Sequence, residues 1–532
     1  MSARQIVAAL LLVGVAGAFA SRANASTQPQ FGGTLRVQIS ERVTTIDPRQ
    51  WPSESTKADV AERVNSLVFD RLVRLDDKAG LQPALAISWE HDAQAKRWLF
   101  RIREGVKFSD GTALTPAIAA MALQQLLGVA FDVSATADSV VIQADRSLPE
   151  LATELSTGRY FIFHTGADNS IAGTGAFRVA EWPVAEGSAK AVLVANETCW
   201  AGRPFVDKIE LLMGADPGAQ ANAISFDQAD VVDLSASQVR RVAQRSIRTA
   251  SSDPVELFAL VIDESRPTLK DARLRQAISL AIDRASIADV ILQKQGVAAG
   301  GLLPNWISGY AHLLPPTFDL PRAKDLLAAS RHEPSRPVPL VLVYDSGDAE
   351  LRAVADRVAV NLREAGIMIQ VSGQHSGGLQ VEPAPDSGEL RVQRAPDSGG
   401  LRVQRSPDSR RLPSQTQGKQ VQPAPAAGGK SKAITPDLRL LRHHLAAPDP
   451  ALALSQLLNS LGEARTGLET LEQVYDAERA PIEAYRVIPL VHVSESYGLS
   501  PRVRDWMPPR WGGWRLDEVW LGPATVAGGN SQ

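Results

Sequence analysis

The chain has 532 residues, of which 44% are hydrophobic and 22% charged, and its formal net charge at pH 7 is −3. This length exceeds what one ordinary hydrophobic core organises, so we expect two or three domains, and the apolar fraction excludes a wholly disordered chain. The nearly balanced charge gives no electrostatic basis for a nucleic-acid partner.

The N-terminal segment has the pattern of a secretory signal peptide. Arg4 supplies the positive region, an apolar stretch covers 6–20, and two small-residue cleavage sites follow, Ala18-Phe19-Ala20 and the favoured Ala23-Asn24-Ala25. The apolar stretch is shorter than the ~20 residues of a membrane span. No cysteine follows it, so a lipid anchor is not expected. We therefore predict that residues 1–25 are removed and that the mature protein is exported, soluble and not lipidated.

Predicted helices and strands mix along the mature chain. Apolar residues at helical spacing indicate helices, alternating ones indicate strands, and Thr115-Pro116 has the cap and first-turn residues of a helix start. The predicted elements are a strand at 35–39, a helix at 58–75, a strand at 98–103, a helix at 115–127, a strand at 140–144, helices beginning at Asp271 and Asp319, a strand at 339–345, a helix at 349–365 and a strand at 367–371. The last three imply parallel pairing. We expect an α/β fold in several lobes.

One segment is expected to lie outside that core. Residues 376–432 carry imperfect 11-residue repeats, the first complete one being PDSGELRVQRA, and they contain no aromatic residue. A proline in each copy excludes a continuous helix. The composition cannot bury enough apolar surface to offset the entropy of ordering. We predict a disordered insertion, and the alternative is a basic tether to a membrane or a partner.

The motifs of common catalytic sites are absent. The sequence has no GxSxG elbow, HExxH, P-loop or EF-hand loop. The adjacent pair His443-His444 is a poor joint metal site, because neighbouring residues on a strand point to opposite faces. The single cysteine, Cys199, excludes an intramolecular disulfide and is expected to be a small buried hydrophobe. We expect a binding protein rather than an enzyme, with no cofactor and no metal.

A series of short motifs then resembles one known family. The motifs, in order, are FDRLVRL (69–75), PALAISW (83–89), FRIREGVKFSDGTALTP (100–116), GTGAF (173–177), FVDKIEL (205–211), LKDARLRQAISLAIDR (269–284), FDLPRAKDLLAAS (318–330), VIPLVHVSESYGLSPRVRDW (487–506) and WRLDEVWL (514–521). In this order and spacing they resemble the family 5 extracellular solute-binding proteins. These are the dipeptide-, oligopeptide- and nickel-type periplasmic receptors of ABC importers. The resemblance covers nearly all of the mature chain except the insertion.

The resemblance implies a two-lobed periplasmic binding protein (class C, type II-like) with an extra third domain. Lobe I would comprise 31–66 together with 173–262 and 485–524. Lobe II would be 67–172, and lobe III 263–484 with the insertion at 376–432 inside it. Closure of the lobes around a ligand is the mechanism that this fold implies.

The first region that would face a solute is the loop after Asp47-Pro48. We name Gln50, Trp51, Ser53 and Glu54 as candidate ligand contacts, since a tryptophan supplies a flat apolar wall and a glutamate supplies charge for a cationic group. The alternative is a surface loop whose tryptophan packs inward.

The second region aligns with the family's ammonium-binding run. Aligned on Pro448-Asp449-Pro450, the position of the ammonium-binding aspartate falls on Ala446, so the usual clamp is expected to be missing. A buried ammonium without a counter-charge is penalised by several kcal/mol. Arg442, His443 and His444 are the candidate contacts here and would favour an anionic or metal-chelating solute. The alternative is a loop that has drifted beside the insertion.

The sequence therefore predicts a monomeric periplasmic receptor. It would capture a small solute, peptide-like or other, by hinge closure and deliver it to an ABC permease in the inner membrane. One alternative is a divergent sensor or scaffold with the same fold that does not take part in transport. Another is an exported enzyme on the same scaffold.

Overall fold

The computed structural model describes residues 28–183, 189–330, 340–374, 436–445, 447–463, 468–511 and 513–523. By its contacts the chain divides into Met1–Leu379 with Pro436–Gln532, and Gln380–Thr435; all described residues belong to the first unit. The signal peptide expected at 1–25, the insertion expected at 376–432 and Ala446 lie outside the described residues.

The strands are numbered in chain order over the described ranges. They are β1 (Thr34–Gln38), β2 (Val73–Leu75), β3 (Leu81–Pro83), β4 (Ala86–Asp92), β5 (Arg97–Ile102), β6 (Phe131–Ala135), β7 (Ser139–Ala144), β8 (His164–Thr165), β9 (Ile171–Ala172), β10 (Phe177–Glu181), β11 (Lys190–Ala195), β12 (Lys208–Leu212), β13 (Val231–Leu234), β14 (Arg248–Ile262), β15 (Gly296–Ala298), β16 (Leu340–Asp345), β17 (Ile369–Gln374), β18 (Leu438–His444), β19 (Val487–Leu499), β20 (Val503–Arg504) and β21 (Trp520–Leu521).

The helices are numbered in the same way. They are α1 (Ser55–Val68), α2 (Pro116–Leu127), α3 (Leu151–Glu154), α4 (Pro217–Ser225), α5 (Ala236–Ala243), α6 (Ala272–Ala281), α7 (Arg284–Ser286), α8 (Asn305–Ser308), α9 (Leu320–Ala329), α10 (Ala349–Glu364), α11 (Pro450–Ser460) and α12 (Leu471–Glu483). A π-helical turn covers Ile287–Ile291, and a 3-10 turn covers Ala311–Leu313. Among the described helices, none combines the length and the apolar character needed to span a membrane.

A large mixed sheet organises the chain. Its strand order is β10-β11-β12-β1-β13-β19-β14-β18-β16-β17, with β15 added to β19. Strand β1 pairs in parallel with β12 and β13, while β14 pairs antiparallel with both β18 and β19. The predicted strand–helix–strand unit is confirmed: β16 and β17 pair in parallel around α10, although β17 begins two residues later than expected.

Two long strands, β14 and β19, run from one part of this sheet to the other. The end of β19 at Ser496–Leu499 pairs with β13, whereas β14 pairs with β18 from Glu256 onward. Between these regions the pairing of β14 with β19 shifts register on both sides of Pro254. Proline has no amide hydrogen for the ladder, which accounts for an interruption at this place. We call β14 and β19 the crossing strands.

A second, smaller sheet is antiparallel and has the order β4-β5-β7-β6. Helix α2 covers it, and together they bury residues such as Phe100, Leu123 and Ile142 in one core. The predicted start of this helix is confirmed, since the Thr115 hydroxyl accepts the amide hydrogen of Ile118 at 3.3 Å and Pro116 occupies the first turn. Gly128, with φ near 77°, ends the helix.

One predicted helix was wrong over its last seven residues. The pattern at 58–75 indicated a single helix, but α1 ends at Val68, and Val73–Leu75 forms strand β2 against β3. Long-range bonds account for the break, because the carboxylate of buried Asp70 accepts hydrogen bonds from Thr174 and from the indole of Trp200. These partners lie more than 100 residues away, so the helical spacing carried no sign of them.

Separate apolar cores lie along the large sheet. One core packs α1 against β1, β12 and β13 through residues such as Val64 and Ile209, and we call it the N-terminal core. Another packs α6, α9 and α10 against β16 and β18 through residues such as Ile278 and Leu440, and we call it the C-terminal core. The apolar stripe predicted for the helix after Asp271 is buried in the C-terminal core, as expected from its spacing.

Candidate functional site

The start of α1, the end of β18 and the crossing strand β19 meet at one place. The backbone N–H of His444 donates to the Ser55 hydroxyl at 3.2 Å, which joins the end of β18 to the first turn of α1. Helical spacing places Asp59 and Arg63, four residues apart, on the same side of α1. Alternation along β19 places Glu495 and Tyr497 on one face of the sheet.

Four of these side chains form a closed cycle of alternating charge, which we call the ionic ring: Asp59, Arg63, His444 and Glu495. Arg63 Nη2 contacts a carboxylate oxygen of both Asp59 and Glu495. On the other side, His444 Nε2 lies 3.1 Å from Asp59 Oδ1, and His444 Nδ1 lies 3.4 Å from Glu495 Oε1. All four side chains are 10–13% exposed.

The ring shifts the titration of its members. Burial opposes the charge on His444, but the carboxylates of Asp59 and Glu495 outweigh it and raise the pKa of His444 to about 9. Burial raises the pKa of Asp59 to about 7 against the attraction of Arg63. Burial likewise opposes the charge on Glu495, yet Arg63 and His444 hold its pKa well below the usual range. The imidazolium form of His444 is therefore part of the ring at neutral pH.

Two further groups border the ring. The Tyr497 hydroxyl donates to Glu495 Oε2 at 2.8 Å, and Asp233 Oδ1 lies 3.7 Å from Arg63 Nη1 without a hydrogen-bond partner among the described residues. When every group is ionised, three carboxylates face two cations. The cluster then holds one excess negative charge in a buried setting, which agrees with the raised pKa of Asp59.

The ring opens onto a small cavity. It is lined by Asp59, Glu62, Arg63, Val255, His444, Leu445, Glu495, Tyr497, Pro509, Arg510, Trp511, Gly513 and Trp514. The volume is about 30 Å³, which accommodates one or two water molecules and no larger solute. A solute that binds here requires the walls to separate.

Tryptophans form one wall of the cavity. The rings of Trp511 and Trp306 have centroids 5.1 Å apart, and Trp514 packs edge-on against Tyr497 at 6.2 Å. The Arg510 guanidinium lies 5.6 Å from the centre of the Trp306 ring. The indole N–H groups of Trp511 and Trp514 are buried without a hydrogen-bond partner in the described part of the chain. Buried donors of this kind are uncommon, because an unmade hydrogen bond costs about 1–3 kcal/mol.

Comparison with known proteins decides the family. Residues 80–393, more than half of the chain, match the family model of the bacterial extracellular solute-binding proteins, family 5 Middle. The chain is a family 5 solute-binding protein. The resemblance inferred from its motifs is confirmed.

Several curated relatives are similar to this family 5 protein. The nickel-binding periplasmic protein of Escherichia coli K12 is 24% identical over 356 residues, which cover 59% of this chain and 67% of the relative. The probable D,D-dipeptide-binding periplasmic protein DdpA of the same organism is also 24% identical, over 372 residues that cover 64% of this chain and 69% of the relative.

Solved structures show the fold. NikA from Staphylococcus aureus in complex with Ni(L-His)2 superposes with a TM-score of 0.69 at 15% identity, covering 92% of this chain and 99% of that one. The oligopeptide-binding protein AppA from Bacillus subtilis in complex with a nonapeptide superposes with a TM-score of 0.67 at 16% identity, covering 93% and 100%. The predicted fold class, a two-lobed α/β periplasmic binding protein, is confirmed.

The four candidate contacts of the first predicted region do not line the cavity of this solute-binding protein. Trp51 packs against the N-terminal core with its ring centroid 6.2 Å from that of Phe161, while Gln50 and Ser53 are exposed. Glu54 pairs with Lys57 at 2.8 Å. The inward packing of Trp51 is the alternative that the sequence left open, and a solute-binding role for this loop stays a prediction.

In the second region, Arg442 is held by carboxylates. It makes a two-pronged contact with Glu256 at 2.6 and 2.8 Å, and its Nη1 lies 3.1 Å from Asp348 and 3.4 Å from Glu350. Its positive charge is therefore already compensated within the protein. A role for Arg442 in attracting an anionic solute stays a prediction.

The two histidines of this region have different surroundings. His443 is 8% exposed, and its Nδ1 lies 3.1 Å from the Ser460 hydroxyl. Burial lowers the pKa of His443 to about 3, so the ring is neutral. Of the seven candidate contacts, His444 alone lines the cavity in the described structure. Ala446 is not described, so the expected loss of the ammonium clamp stays a prediction.

Sequence reasoning missed Asp59, Arg63, Glu495, Trp511 and Trp514. Two signals were present in the sequence. Asp59 and Arg63 have the four-residue spacing of an ion pair on a helix. Four of the ten tryptophans also lie within residues 506–520. Neither signal indicated that these segments meet the end of β18.

Asp59, His444 and Glu495 also have the spacing of a possible metal site, since their ligand atoms lie within 4.8 Å of one another. Arg63, however, already contacts both carboxylates, and the two nitrogens of His444 face different carboxylates. The ring is therefore an ion-pair cluster completed by protein cations, and we do not assign these residues as metal ligands. Cys199 is half-buried rather than buried, and burial raises the pKa of its thiol to about 11.

Proposed function

We propose that this protein is a periplasmic receptor that captures a small solute between its lobes by hinge closure. It would then present the solute to an ABC permease in the inner membrane. The observation that carries this proposal is the cavity beside the crossing strands, whose wall holds the unpartnered indole N–H groups of Trp511 and Trp514. Membership of the solute-binding family supports the same role.

The crossing strands supply the axis for this closure. Strands β14 and β19 join the two parts of the large sheet, and their pairing shifts register beside Pro254. Hinges in binding proteins are short segments that absorb backbone rotation between rigid parts. The cavity lies next to this interruption, because Val255 and Glu495 both line it. Rotation about the crossing strands would therefore widen the cavity and admit a solute.

The lining favours a solute with a flat or apolar portion and hydrogen-bond acceptors. The tryptophan wall provides apolar area, and the two free indole N–H groups are donors only. Nickel chelates and peptides, which the names of relatives mention, are the first ligand classes to test. We also propose to test anionic and metal-chelating solutes. Arg442 and His443 contribute little to binding them, because Arg442 pairs with Glu256 and His443 contacts Ser460.

The first test is native mass spectrometry of the mature protein purified from its own periplasm, followed by denaturation and identification of any released compound. We expect a retained small molecule. Thermal shift measurements with di- and tripeptides, nickel–histidine chelates and sugars would then compare the wild type with Trp511→Ala. We expect that variant to lose most of the shift, because it removes an indole donor and part of the wall.

Trp89→Ala is the matched control. Trp89 lies on β4 of the small sheet and does not line this cavity, so we expect the variant to keep the full ligand-induced shift. An empty protein whose melting temperature responds to no compound would contradict the receptor proposal and favour a sensor or scaffold without transport. Binding of di- or tripeptides at micromolar strength would show that the expected clamp loss at Ala446 is wrong.

A further inference from the structure

The ionic ring joins two parts of the protein that have separate cores. Asp59 and Arg63 belong to α1, which packs in the N-terminal core, whereas His444 ends β18, whose leucines pack in the C-terminal core. Two contacts of His444 reach α1: its backbone N–H to Ser55, and its ring to Asp59. Both contacts would have to break for the cavity walls to separate at this edge.

We propose that the ionic ring is a proton-dependent latch, in which the imidazolium of His444 holds the end of β18 against α1 and the loss of its proton releases the cleft. This inference rests on the proposed function, since it concerns the closure of the same cleft. It goes beyond that function, because it makes closure depend on the pH outside the cytoplasmic membrane.

The latch depends on the charge of His444 because its ring lies between two carboxylates. With the proton, the positive charge of His444 faces both carboxylates and completes the ring of alternating charge: Nε2 lies 3.1 Å from Asp59 Oδ1, and Nδ1, which has no hydrogen-bond partner among the described residues, attracts Glu495 Oε1 by charge across 3.4 Å. Without it, one nitrogen presents a lone pair to a buried carboxylate, and Arg63 alone faces three negative groups. Charges buried without compensation are costly, so separation of α1 from β18, which admits water, becomes more favourable.

The charged and titratable groups that face His444 come from α1, from four strands of the large sheet and from the segment after β20. They are Asp59, Glu62 and Arg63 on α1, Asp233 on β13, Glu256 on β14, Glu495 and Tyr497 on β19, His443 on β18, and Arg510 after β20. Arg510 is paired with Asp253, Glu62 with Arg71, and Glu256 with Arg442. His443 stays neutral. Asp59, whose pKa in the ring is about 7, loses its own proton at the lower end of the range from pH 6.5 to 9, so above about pH 8 the proton on His444 is the main charge difference between the closed ring and an opened one.

The direction of the effect follows from linkage. A histidine exposed by opening has a pKa near its ordinary value of 6.5, whereas the closed ring raises the pKa to about 9. The closed form therefore binds more protons across this window, and closure is favoured below pH 6.5 and is lost as the pH rises through 9. The ratio of closed to open protein should fall on the order of a hundredfold over that interval. The raised pKa of Asp59 acts in the same direction at lower pH.

Amide hydrogen exchange at His444 measures this ratio without any solute. The His444 N–H bonds to Ser55, so its exchange reports separation of β18 from α1. The experiment uses the mature wild-type chain at pH 6.5 to 9, with rates corrected for base catalysis and resolved by fragmentation mass spectrometry. We expect the protection factor at His444 to fall on the order of a hundredfold. Protection at Leu440, inside the β14–β18 ladder, should not change.

Three variants separate a latch from a merely structural role. His444→Gln removes the imidazolium, so its protection should be low and should lack the fall between pH 8 and 9, while the titration of Asp59 near pH 7 is kept. His444→Lys keeps a cation up to about pH 10, so its amide at position 444 should stay protected to pH 9. This variant tests the latch even if the glutamine variant fails to fold. His443→Gln is the matched neighbour and should keep the wild-type pH dependence.

A protection factor at His444 that does not change from pH 6.5 to 9 would overturn the latch. So would a His444→Gln variant with the same pH dependence as the wild type, since another group would then be responsible. A histidine signal of His444 that titrates near 6.5 in carbon-13 NMR would also contradict it. None of these outcomes depends on a solute. The latch can therefore be contradicted while the receptor proposal stands, and the receptor proposal can be contradicted by the ligand tests while the latch stands.

Discussion

At the end of β18, the two faces of the large sheet shift the pKa of a histidine in opposite directions. His443 points to the face covered by α11, where Ser460 is its polar partner and burial lowers its pKa to about 3. His444 points to the face covered by α1, where two carboxylates raise its pKa to about 9. His492, beside His443 across β14, is also buried, and burial lowers its pKa to about 4.

This difference shows that burial alone does not determine the state of a histidine. Burial opposes the charged form at both positions, and only the neighbouring carboxylates reverse the outcome at His444. On the face covered by α11, the histidines are neutral and act as packing residues. On the face covered by α1, ion pairs join β18 and β19 to the helix. Variants on each face should therefore differ in cost and in pH dependence.

The largest effect is expected from Arg63→Met on the face covered by α1. The change leaves the carboxylates of Asp59 and Glu495 buried with His444 as their one remaining cation, so the free energy of unfolding should fall by about 3–5 kcal/mol. Urea unfolding followed by circular dichroism at pH 7 measures this. Arg101→Met is the control, because its pair with Asp138 is more than half exposed and should be worth less than about 1 kcal/mol. Equal losses in both variants would contradict a buried ring.

The next effect is the alkaline limb of stability, which His444 should produce. Its pKa is raised in the folded protein, so its contribution is fully present below pH 6.5 and is lost as the pH rises through about 9. The wild type should lose on the order of 3 kcal/mol between pH 6.5 and 9.5, and His444→Gln should show little of this loss. Unfolding in urea at a series of pH values gives both curves. A variant curve parallel to the wild-type curve would contradict the assignment.

His443 should produce the acid limb on the other face. Its pKa is lowered in the folded protein, so below pH 6.5 the unfolded chain binds a proton that the folded protein excludes. Stability should therefore fall by up to about 1.4 kcal/mol per pH unit through this residue. His443→Gln should reduce that slope while costing about 1 kcal/mol at pH 7, for the contact with Ser460. An unchanged acid slope would show that another group excludes the proton.

The smallest effect is expected from Asp449→Ala, at the start of the helix that covers His443. The Asp449 carboxylate accepts the amide hydrogen of Leu452 at 2.8 Å and caps α11. Its loss should lower stability by about 1 kcal/mol and leave both pH limbs in place. Urea unfolding of this variant at pH 5, 7 and 9 tests both statements. A change in the alkaline limb would mean that the two faces are coupled through the sheet.

Local signals allowed much of the fold to be predicted. The caps at Thr115 and Asp271, the apolar stripe after Asp271 and the strand–helix–strand unit around α10 are all present. Where a long-range contact competes with local spacing, the prediction was wrong, as it was for the helix that ends at Val68. The division into three lobes stays a prediction. For the site, sequence reasoning named His444 but neither its carboxylate partners nor the tryptophan wall.

By itself, the sequence determined the family, the α/β character and the starts of four of the described helices, those beginning at Pro116, Ala272, Leu320 and Ala349, because caps, periodicity and short motifs depend on residues within a few positions of one another. Only the tertiary structure decided the charge of His444 and the pairing of Arg442 with carboxylates of the protein. Those properties depend on groups brought from far along the chain; Ser55, for example, is 389 residues from His444. A pKa follows from the distance and burial of such groups, and consecutive histidines on a strand meet different ones because their side chains point to opposite faces.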